Sequence, residues 1–297
     1  MNLKEKLEVT GLVPVVKLKS ADSAVALAEA LGKGGLKAAE ITFRTDAAEE
    51  SIRRIAKAYP DFLLAAGTVL NCENADRAMD AGAGLIVSPG LNPKVVEHCV
   101  KKGYPVMPGI TSPSEIELAM SFGLDTVKFF PAEAMGGVKM LKALSAPYGN
   151  LKFMPTGGID RNNLCSYLDL PCVLCCGGSW MVKGELIDSG NFDAITELTK
   201  DAVKSMLGLE MKKVVLNSKV EGTVKEFCNK LGLEFSENEQ SACFECNDVQ
   251  RAVYYMEQEG FLIDPTRLEY DSKHRMIKAV LKAQNTAICL VNKEKKK

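Results

Sequence analysis

Short apolar runs of strand character recur between Val13 and Cys176, roughly every twenty to twenty-five residues, with amphipathic helical patterns between them. The eight runs are Val13–Leu18, Ala38–Phe43, Leu63–Val69, Leu85–Ser88, Pro105–Ile110, Thr126–Phe130, Lys152–Pro155 and Cys172–Cys176. The helical patterns are Ser20–Leu31, Ala47–Ala58, Cys72–Ala81, Pro93–Lys102, Ser114–Phe122, Val138–Leu144 and Asn162–Leu168. Alternating strands and helices predict parallel βαβ units. Eight units in about 200 residues predict a closed (β/α)8 TIM barrel.

A doubly wound open sheet is the alternative for this alternation. It is disfavoured because no Gly-x-Gly-x-x-Gly motif follows the first predicted strand. In a barrel, by contrast, the chemistry collects at the carboxyl ends of the strands. The residues that end each apolar run are therefore the first candidates for a site.

Composition excludes several classes of function. The net charge of −1 gives no electrostatic case for nucleic acid or an anionic membrane surface. No apolar run is long enough to span a bilayer, and Met1–Thr10 lacks the apolar core of a signal peptide. The ten cysteines lack the spacing of a secreted disulfide framework, so a reducing cytoplasm is the expected location. The two histidines, His98 and His274, argue against a multi-histidine metal site, and no metal ligand set is predicted.

Lys128 stands out because it lies inside the apolar run Thr126–Phe130. Alternation along a strand places Lys128 and Phe130 on one face. If that face is buried, the loss of hydration favours the neutral amine over the ammonium. A neutral amine can attack a carbonyl carbon and form a Schiff base. The alternative is an edge-strand lysine whose ammonium reaches water.

Other polar residues, glycines and one proline fall within or just after the predicted strands. They are Glu40, Arg44, Thr68, Pro89, Thr156, Gly157, Gly158, Gly178 and Ser179. Two glycine pairs after the last two strands favour a phosphate site, although each pair alone could be an ordinary tight turn. Thr68 and Thr156 could likewise be turn hydroxyls.

Two of these candidates are charged. Glu40 could move protons beside Lys128, or could simply pair with Lys128 or Arg44 as part of the structure. The planar guanidinium of Arg44 suits a substrate carboxylate, although a surface cation is the alternative.

Seven motifs occur in an order and spacing that resemble one enzyme family, the 2-keto-3-deoxy-6-phosphogluconate (KDPG) and 4-hydroxy-2-oxoglutarate (KHG) aldolases. The motifs are Glu40–Thr45 (EITFRT), Gly67–Asn71 (GTVLN), Ser88–Gly90 (SPG), Pro108–Thr111 (PGIT), Lys128–Glu133 (KFFPAE), Pro155–Ile159 (PTGGI) and Gly177–Trp180 (GGSW). The resemblance covers about residues 1–209. It departs from the family pattern at Ala66, Met135 and Cys176, and Met135 at the rim bears on substrate preference.

The resemblance implies a metal-free class I aldolase, without cofactor, that acts on a small keto-acid phosphate and forms a homotrimer. It implies that Lys128 is the Schiff-base lysine and Glu40 the acid and base. It implies that Arg44 binds the pyruvyl carboxylate and that Thr68 orients the keto acid. It places the remaining substrate contacts at Pro89, Thr156, Gly157, Gly158, Gly178 and Ser179. Alternatives are a 2-keto-3-deoxy-6-phosphogalactonate aldolase and a phosphosugar-binding barrel with a regulatory C-terminal module.

The pattern changes near Leu209, so we predict a barrel over 1–210 and a small α+β domain over 211–297. The second domain is predicted to contain strands at Met211–Asn217, Leu233–Phe235, Ala242–Cys246, Leu268–Tyr270, Ala279–Lys282 and Ala287–Val291, with helices at Glu221–Leu231 and Val249–Glu259. Similar segments at Phe227–Phe235 and Tyr255–Ile263 suggest a βαβββ repeat. This repeat weakly resembles the glyoxalase/vicinal-oxygen-chelate superfamily. The motif Cys243-x-x-Cys246 lacks the second cysteine pair that a zinc site would need, and His274 lies in a charged turn. We therefore expect a non-catalytic appendage without a bound metal.

Overall fold

The structure is a computed structural model that describes residues 1–215, 241–282 and 287–293. The chain divides into two units, Met1–Val203 and Lys204–Lys297, which are described separately.

The first unit alternates parallel strands with helices. Its strands are β1 Leu12–Val16, β2 Ala38–Thr42, β3 Leu63–Gly67, β4 Leu85–Val87, β5 Val106–Met107, β6 Gly109–Ile110, β7 Thr126–Phe129, β8 Lys152–Pro155 and β9 Cys176–Gly178. Its helices are α1 Leu3–Thr10, α2 Ala24–Lys33, α3 Ala47–Ala58, α4 Cys72–Asp80, α5 Pro93–Lys102, α6 Pro113–Ser121, α7 Gly137–Ser145, α8 Leu164–Leu168, α9 Gly184–Asp188 and α10 Phe192–Leu207, the last of which continues past Val203.

The strand pairings follow a curved parallel order. One sheet runs β5-β4-β3-β2-β1-β9 and a second runs β6-β7-β8. β5 and β6 are two parts of one predicted strand, interrupted at Pro108, which has no backbone N–H to donate. Isolated parallel bridges join Phe153 to Val173 and Thr156 to Gly177. This arrangement fits a (β/α)8-like α/β fold.

The eighth strand of the barrel lies further along the chain than predicted. The sequence places it at Cys172–Cys176, but the ladder with β1 runs through Cys176, Gly177 and Gly178. Leu174 and Cys175 are apolar because they belong to the buried core, not because they pair with β1. Glycine has a low strand propensity, so the pairing at Gly177 and Gly178 carries little local signal.

Helix α1, which was not predicted from the sequence, packs on the buried core. Asn2 and Glu5 form a capping box at its start, and Gly11 ends it in a left-handed conformation. Leu7 joins the buried cluster formed by strand residues such as Val13, Leu85 and Met154. The amphipathic helix is therefore held by its contact with the core.

Among the described residues, the second unit contains a six-stranded sheet: five strands have the order β10-β11-β15-β14-β12, and the sixth, β13, pairs with β14. Its elements are β10 Glu210–Val215, β11 Ser241–Cys246, α11 Val249–Gln258, β12 Leu262–Ile263, β13 Glu269–Tyr270, β14 Met276–Lys282 and β15 Ala287–Asn292. The pairing of β11 with β15 is parallel, and the other pairings are antiparallel.

Asp248 caps the start of helix α11, because its side chain accepts from the Arg251 N–H, and the helix buries Val249 and Ala252. The helix predicted at Glu221–Leu231 and the strand predicted at Leu233–Phe235 lie outside the described residues, so the repeat stays a prediction. Across the described ranges, no helix combines the length and apolar character needed to cross a bilayer.

Candidate active site

Lys128 lies in the middle of β7, between β6 and β8. Its backbone N–H donates to Pro108 O at 2.9 Å, and its register partners are Gly109 and Met154. The residue is only 4% exposed, so its side chain is buried, which is the condition under which the sequence favours Schiff-base chemistry here. The Nζ atom lies 5.4 Å from the centroid of the Phe130 ring, which confirms that the two side chains share a face.

Glu40 meets Lys128 from β2. Lys128 Nζ lies 3.1 Å from Glu40 Oε1 and 3.2 Å from Oε2, and the glutamate is 1% exposed. Neighbouring Gly67 on β3 makes room for this carboxylate: a Cβ there would lie 2.1 Å from Glu40 Oε1. A buried carboxylate and amine at hydrogen-bond distance can exchange a proton directly.

Arg44 and Thr68 form a second pair at the ends of β2 and β3. Arg44 Nε donates to Thr68 Oγ1 at 3.3 Å. Thr68 has a φ of 56°, a left-handed conformation that a β-branched residue adopts at an energetic cost. Such strain is concentrated at functional sites, where it fixes the direction of a side chain. Here it accompanies a hydroxyl that faces the guanidinium.

Thr156 supplies an unsatisfied polar atom. It follows the end of β8, is 5% exposed, and its Oγ1 has no hydrogen-bond partner among the described residues. Gly177 lies against it, since a Cβ at Gly177 would be 2.3 Å from Thr156 Oγ1. A buried hydroxyl without a partner costs free energy unless a ligand or water bonds to it.

These residues surround one cavity of about 850 Å³ at the carboxyl ends of the strands. Nine of the ten predicted site residues line it: Arg44, Thr68, Pro89, Lys128, Thr156, Gly157, Gly158, Gly178 and Ser179. Glu40 does not line the cavity but contacts Lys128, which does. The structure thus brings together all ten, from segments between 40 and 179 in the chain.

The sequence analysis missed several lining residues. They include Lys17, Lys19, Trp180, Lys183 and Asp188. Lys17 follows directly after β1, so the rule about carboxyl ends of strands could have found it. Lys19 and Asp188 form an ion pair of 2.5 Å between distant segments, for which the sequence gives no signal. The cavity therefore carries more cationic side chains than expected.

The histidines lie elsewhere. His98 Nε2 is 2.9 Å from Asp76 Oδ1 on the helical surface, and His274 is exposed in the turn Asp271–Arg275. Within residues 1–215, 241–282 and 287–293, no cluster of three or more histidine, cysteine, aspartate or glutamate side chains could hold a metal ion.

Comparison with known proteins identifies the family. The family model "KDPG and KHG aldolase" matches residues 3–198. The 2-dehydro-3-deoxy-phosphogluconate aldolase of Haemophilus influenzae is 49% identical over 199 residues, which are 67% of this chain and 94% of the relative. The KHG/KDPG aldolase of Escherichia coli K12 is 43% identical over 201 residues, with the same two coverages.

A solved structure shares the fold. The KDPG aldolase of Legionella pneumophila, with pyruvate captured as a covalent carbinolamine intermediate, is 38% identical, with a TM-score of 0.65. The match covers 68% of this chain and 98% of that one. The fold and the site define a Schiff-base type of aldolase, and the enzyme is a lyase. The chain belongs to the KDPG and KHG aldolase family.

We expect Gly67→Ala to lower the cleavage rate by at least about tenfold, because its Cβ would overlap the Glu40 carboxylate and displace it from Lys128. Gly32→Ala is the matched control, because no atom lies within 4 Å of a Cβ added there. Steady-state rates and thermal unfolding would be measured for both. Wild-type activity in Gly67→Ala would show that the position of Glu40 is unimportant.

Proposed function

We propose that this chain cleaves 2-keto-3-deoxy-6-phosphogluconate to pyruvate and glyceraldehyde 3-phosphate, with Lys128 as the Schiff-base residue. The observation that carries this proposal is the buried contact between Lys128 and Glu40 at the edge of the cavity. The names of the relatives support the substrate.

The first half of the reaction activates the ketone. The neutral amine of Lys128 adds to C2 of the substrate, and the resulting carbinolamine loses water to give a protonated imine. Glu40, 3.1 Å from Nζ, takes the proton that the ammonium must lose before the attack and gives it to the carbinolamine hydroxyl, which leaves as water. Glu40 is therefore a carboxylate again before the C3–C4 bond breaks. The imine cation then withdraws electrons from the C3–C4 bond.

The second half breaks that bond. Glu40, directly or through a water molecule, accepts the proton of the C4 hydroxyl while the C3–C4 electron pair moves into the enamine. Glyceraldehyde 3-phosphate departs, Glu40 returns its proton to C3, and hydrolysis of the imine releases pyruvate. One carboxylate serves both steps because it alternates between base and acid.

The two ends of the substrate are held separately. The Arg44 guanidinium binds the pyruvyl carboxylate beside Thr68, and Pro89, which also lines the cavity, contacts the substrate. Gly157, Gly158, Gly178 and the Ser179 hydroxyl bind the phosphate, and the unpartnered Thr156 hydroxyl binds a substrate oxygen. Two anchors fix the C3–C4 bond over the Lys128–Glu40 pair.

Cleavage of 4-hydroxy-2-oxoglutarate to pyruvate and glyoxylate is a second activity, supported by the KHG/KDPG name of the E. coli relative. The 2-keto-3-deoxy-6-phosphogalactonate epimer is the alternative substrate, since the two sugars differ only in the orientation of one hydroxyl. A barrel that binds phosphosugars without turnover is the alternative to catalysis, and the buried Lys128–Glu40 pair argues against it.

The homotrimer implied by the family resemblance and the cytoplasmic location expected from cysteine usage are also part of this proposal. For the C-terminal residues 211–297, we propose a glyoxalase-like appendage that takes no part in the chemistry. The family match to residues 3–198 supports this division, because it covers all ten site residues.

Lys128→Ala should reduce cleavage by at least about 10³-fold, because the amine that forms the imine beside Glu40 is removed. Lys128→Arg should be equally inactive while keeping a cation beside Glu40, which separates lost chemistry from the cost of an unpaired buried carboxylate. Lys152→Ala, on the adjacent strand, is the control and should stay active. Near-wild-type turnover in either Lys128 variant would refute the assignment.

Loss of Arg44 should weaken binding of both substrates, whereas loss of Ser179 should weaken binding of the phosphorylated substrate only. We expect Arg44→Ala to raise KM for 4-hydroxy-2-oxoglutarate by roughly 10- to 100-fold, because a charge-assisted contact to the carboxylate is lost. Ser179→Ala should raise KM for the phosphorylated substrate and leave KM for 4-hydroxy-2-oxoglutarate within about twofold. Equal effects of the two variants on the unphosphorylated substrate would contradict separate anchors.

Truncation after Leu209 tests the appendage. If residues 211–297 are non-catalytic, the shortened chain should keep kcat and KM within about twofold of the full chain. Lys128→Ala in the full-length chain serves as the inactive reference. A soluble, folded truncation that lost activity would assign the C-terminal domain a direct part in the reaction.

A further inference from the structure

Glu133 ends the KFFPAE motif but has no role in the proposed reaction. Its backbone N–H donates to Gly157 O at 3.0 Å, and the preceding Ala132 N–H donates to Thr156 O at 2.8 Å. These two bonds join the segment after β7 to the Thr156–Gly158 turn after β8. The position of the turn therefore depends on the position of Glu133.

Tyr167 on α8 fixes the other end of Glu133. Its ring is fully buried, and its hydroxyl donates a hydrogen bond to Glu133 Oε1. Burial, followed by the Glu133 carboxylate, raises the pKa of Tyr167 above its usual value of 10.0. The hydroxyl therefore keeps its proton at neutral pH and remains the donor.

Two glycines enclose this pair. A Cβ on Gly158 would lie 2.6 Å from Glu133 Cβ, so the aliphatic part of the glutamate side chain packs directly on the backbone of the turn. A Cβ on Gly137 would lie 3.0 Å from Glu133 Oε1 and 3.2 Å from Tyr167 Oη. Such close packing transmits a displacement of Glu133 directly to Gly158.

Neither Glu133 nor Tyr167 lines the cavity, whereas Gly157 and Gly158 do. The pair therefore acts on a ligand only through the turn. Asn163, at the start of α8, adds a second brace, because its Nδ2 donates to Gly158 O at 3.0 Å. The turn is thus held from β7 and from α8.

We propose that the Tyr167–Glu133 hydrogen bond positions the Gly157–Gly158 turn for a phosphoryl group, and so sets the preference for phosphorylated over unphosphorylated substrates. This inference deepens the proposed function and rests on it for the place of the phosphate. Tyr167 and Glu133 are positioning residues, because they act through the turn.

The first test measures binding without catalysis. Trp180 is the single tryptophan of the chain and lines the cavity, so its fluorescence can follow titration with inorganic phosphate. Tyr167→Phe should raise Kd for phosphate by about fivefold or more, because a hydrogen bond to a charged acceptor is lost. Glu133→Gln should keep Kd for phosphate within about twofold of the wild-type value, because the amide oxygen of the glutamine still accepts a hydrogen bond from Tyr167.

The second test is the split between substrates. Tyr167→Phe should raise KM for the phosphorylated keto acid by about fivefold or more and leave KM for 4-hydroxy-2-oxoglutarate within about twofold. Rates would be divided by the fraction of chains that borohydride traps with pyruvate. This division corrects the rates for any chains that are not folded. Tyr148→Phe is the matched control, because it deletes a surface hydrogen bond from a tyrosine to Glu117.

The outcomes separate the two proposals. A wild-type chain that binds phosphate but neither cleaves keto acids nor traps pyruvate would refute the proposed function and leave the phosphate titration as the test of positioning. A wild-type chain that gives no phosphate-dependent fluorescence change would overturn the positioning proposal. Equal changes for both substrates in Tyr167→Phe, or no change in phosphate affinity, would also overturn it.

Discussion

The buried contact between Lys128 and Glu40 is the interaction on which the rest of the site depends. Removing two charged groups from water costs free energy that their attraction does not always recover. The fold accommodates them by pairing Nζ with both carboxylate oxygens at 3.1 and 3.2 Å and by placing Gly67 beside the carboxylate. An unpaired partner would cost roughly 3–5 kcal/mol. The burial of the two groups therefore holds them together at hydrogen-bond distance.

Around this pair, two threonines have features that cost stability and that a ligand could use. Thr68 keeps a left-handed backbone while its hydroxyl accepts from Arg44, and the buried Thr156 hydroxyl has no partner among the described residues. Both features cost stability in the absence of a ligand. They lie on opposite sides of Lys128 in the strand order, at the ends of β3 and β8. A bound keto acid would use the directions that these residues already have.

Much of the first unit follows from its sequence. The helices at Ala47–Ala58 and Pro93–Lys102 have the predicted bounds, because their apolar periodicity and their polar ends agree. Alternation along the strand also predicted that Lys128 and Phe130 share a face, but the burial of Lys128 is known only from the structure. The eighth strand did not, because Gly177 and Gly178 pair with β1 without any strand propensity of their own. The Lys19–Asp188 pair and the contact between Glu133 and Tyr167 arise only from tertiary structure, since their residues are far apart in the chain.

The role of Lys128 as the Schiff-base residue is tested by reduction with borohydride in the presence of pyruvate, followed by mass mapping of the peptides. Lys128 is buried beside a carboxylate, whereas the other cavity lysines Lys17, Lys19 and Lys183 are exposed. We therefore expect one stable pyruvyl adduct per chain, on Lys128. The adduct should be absent when pyruvate is omitted. An adduct on another lysine, or none at all in a folded chain, would contradict the central claim that Lys128 forms the Schiff base.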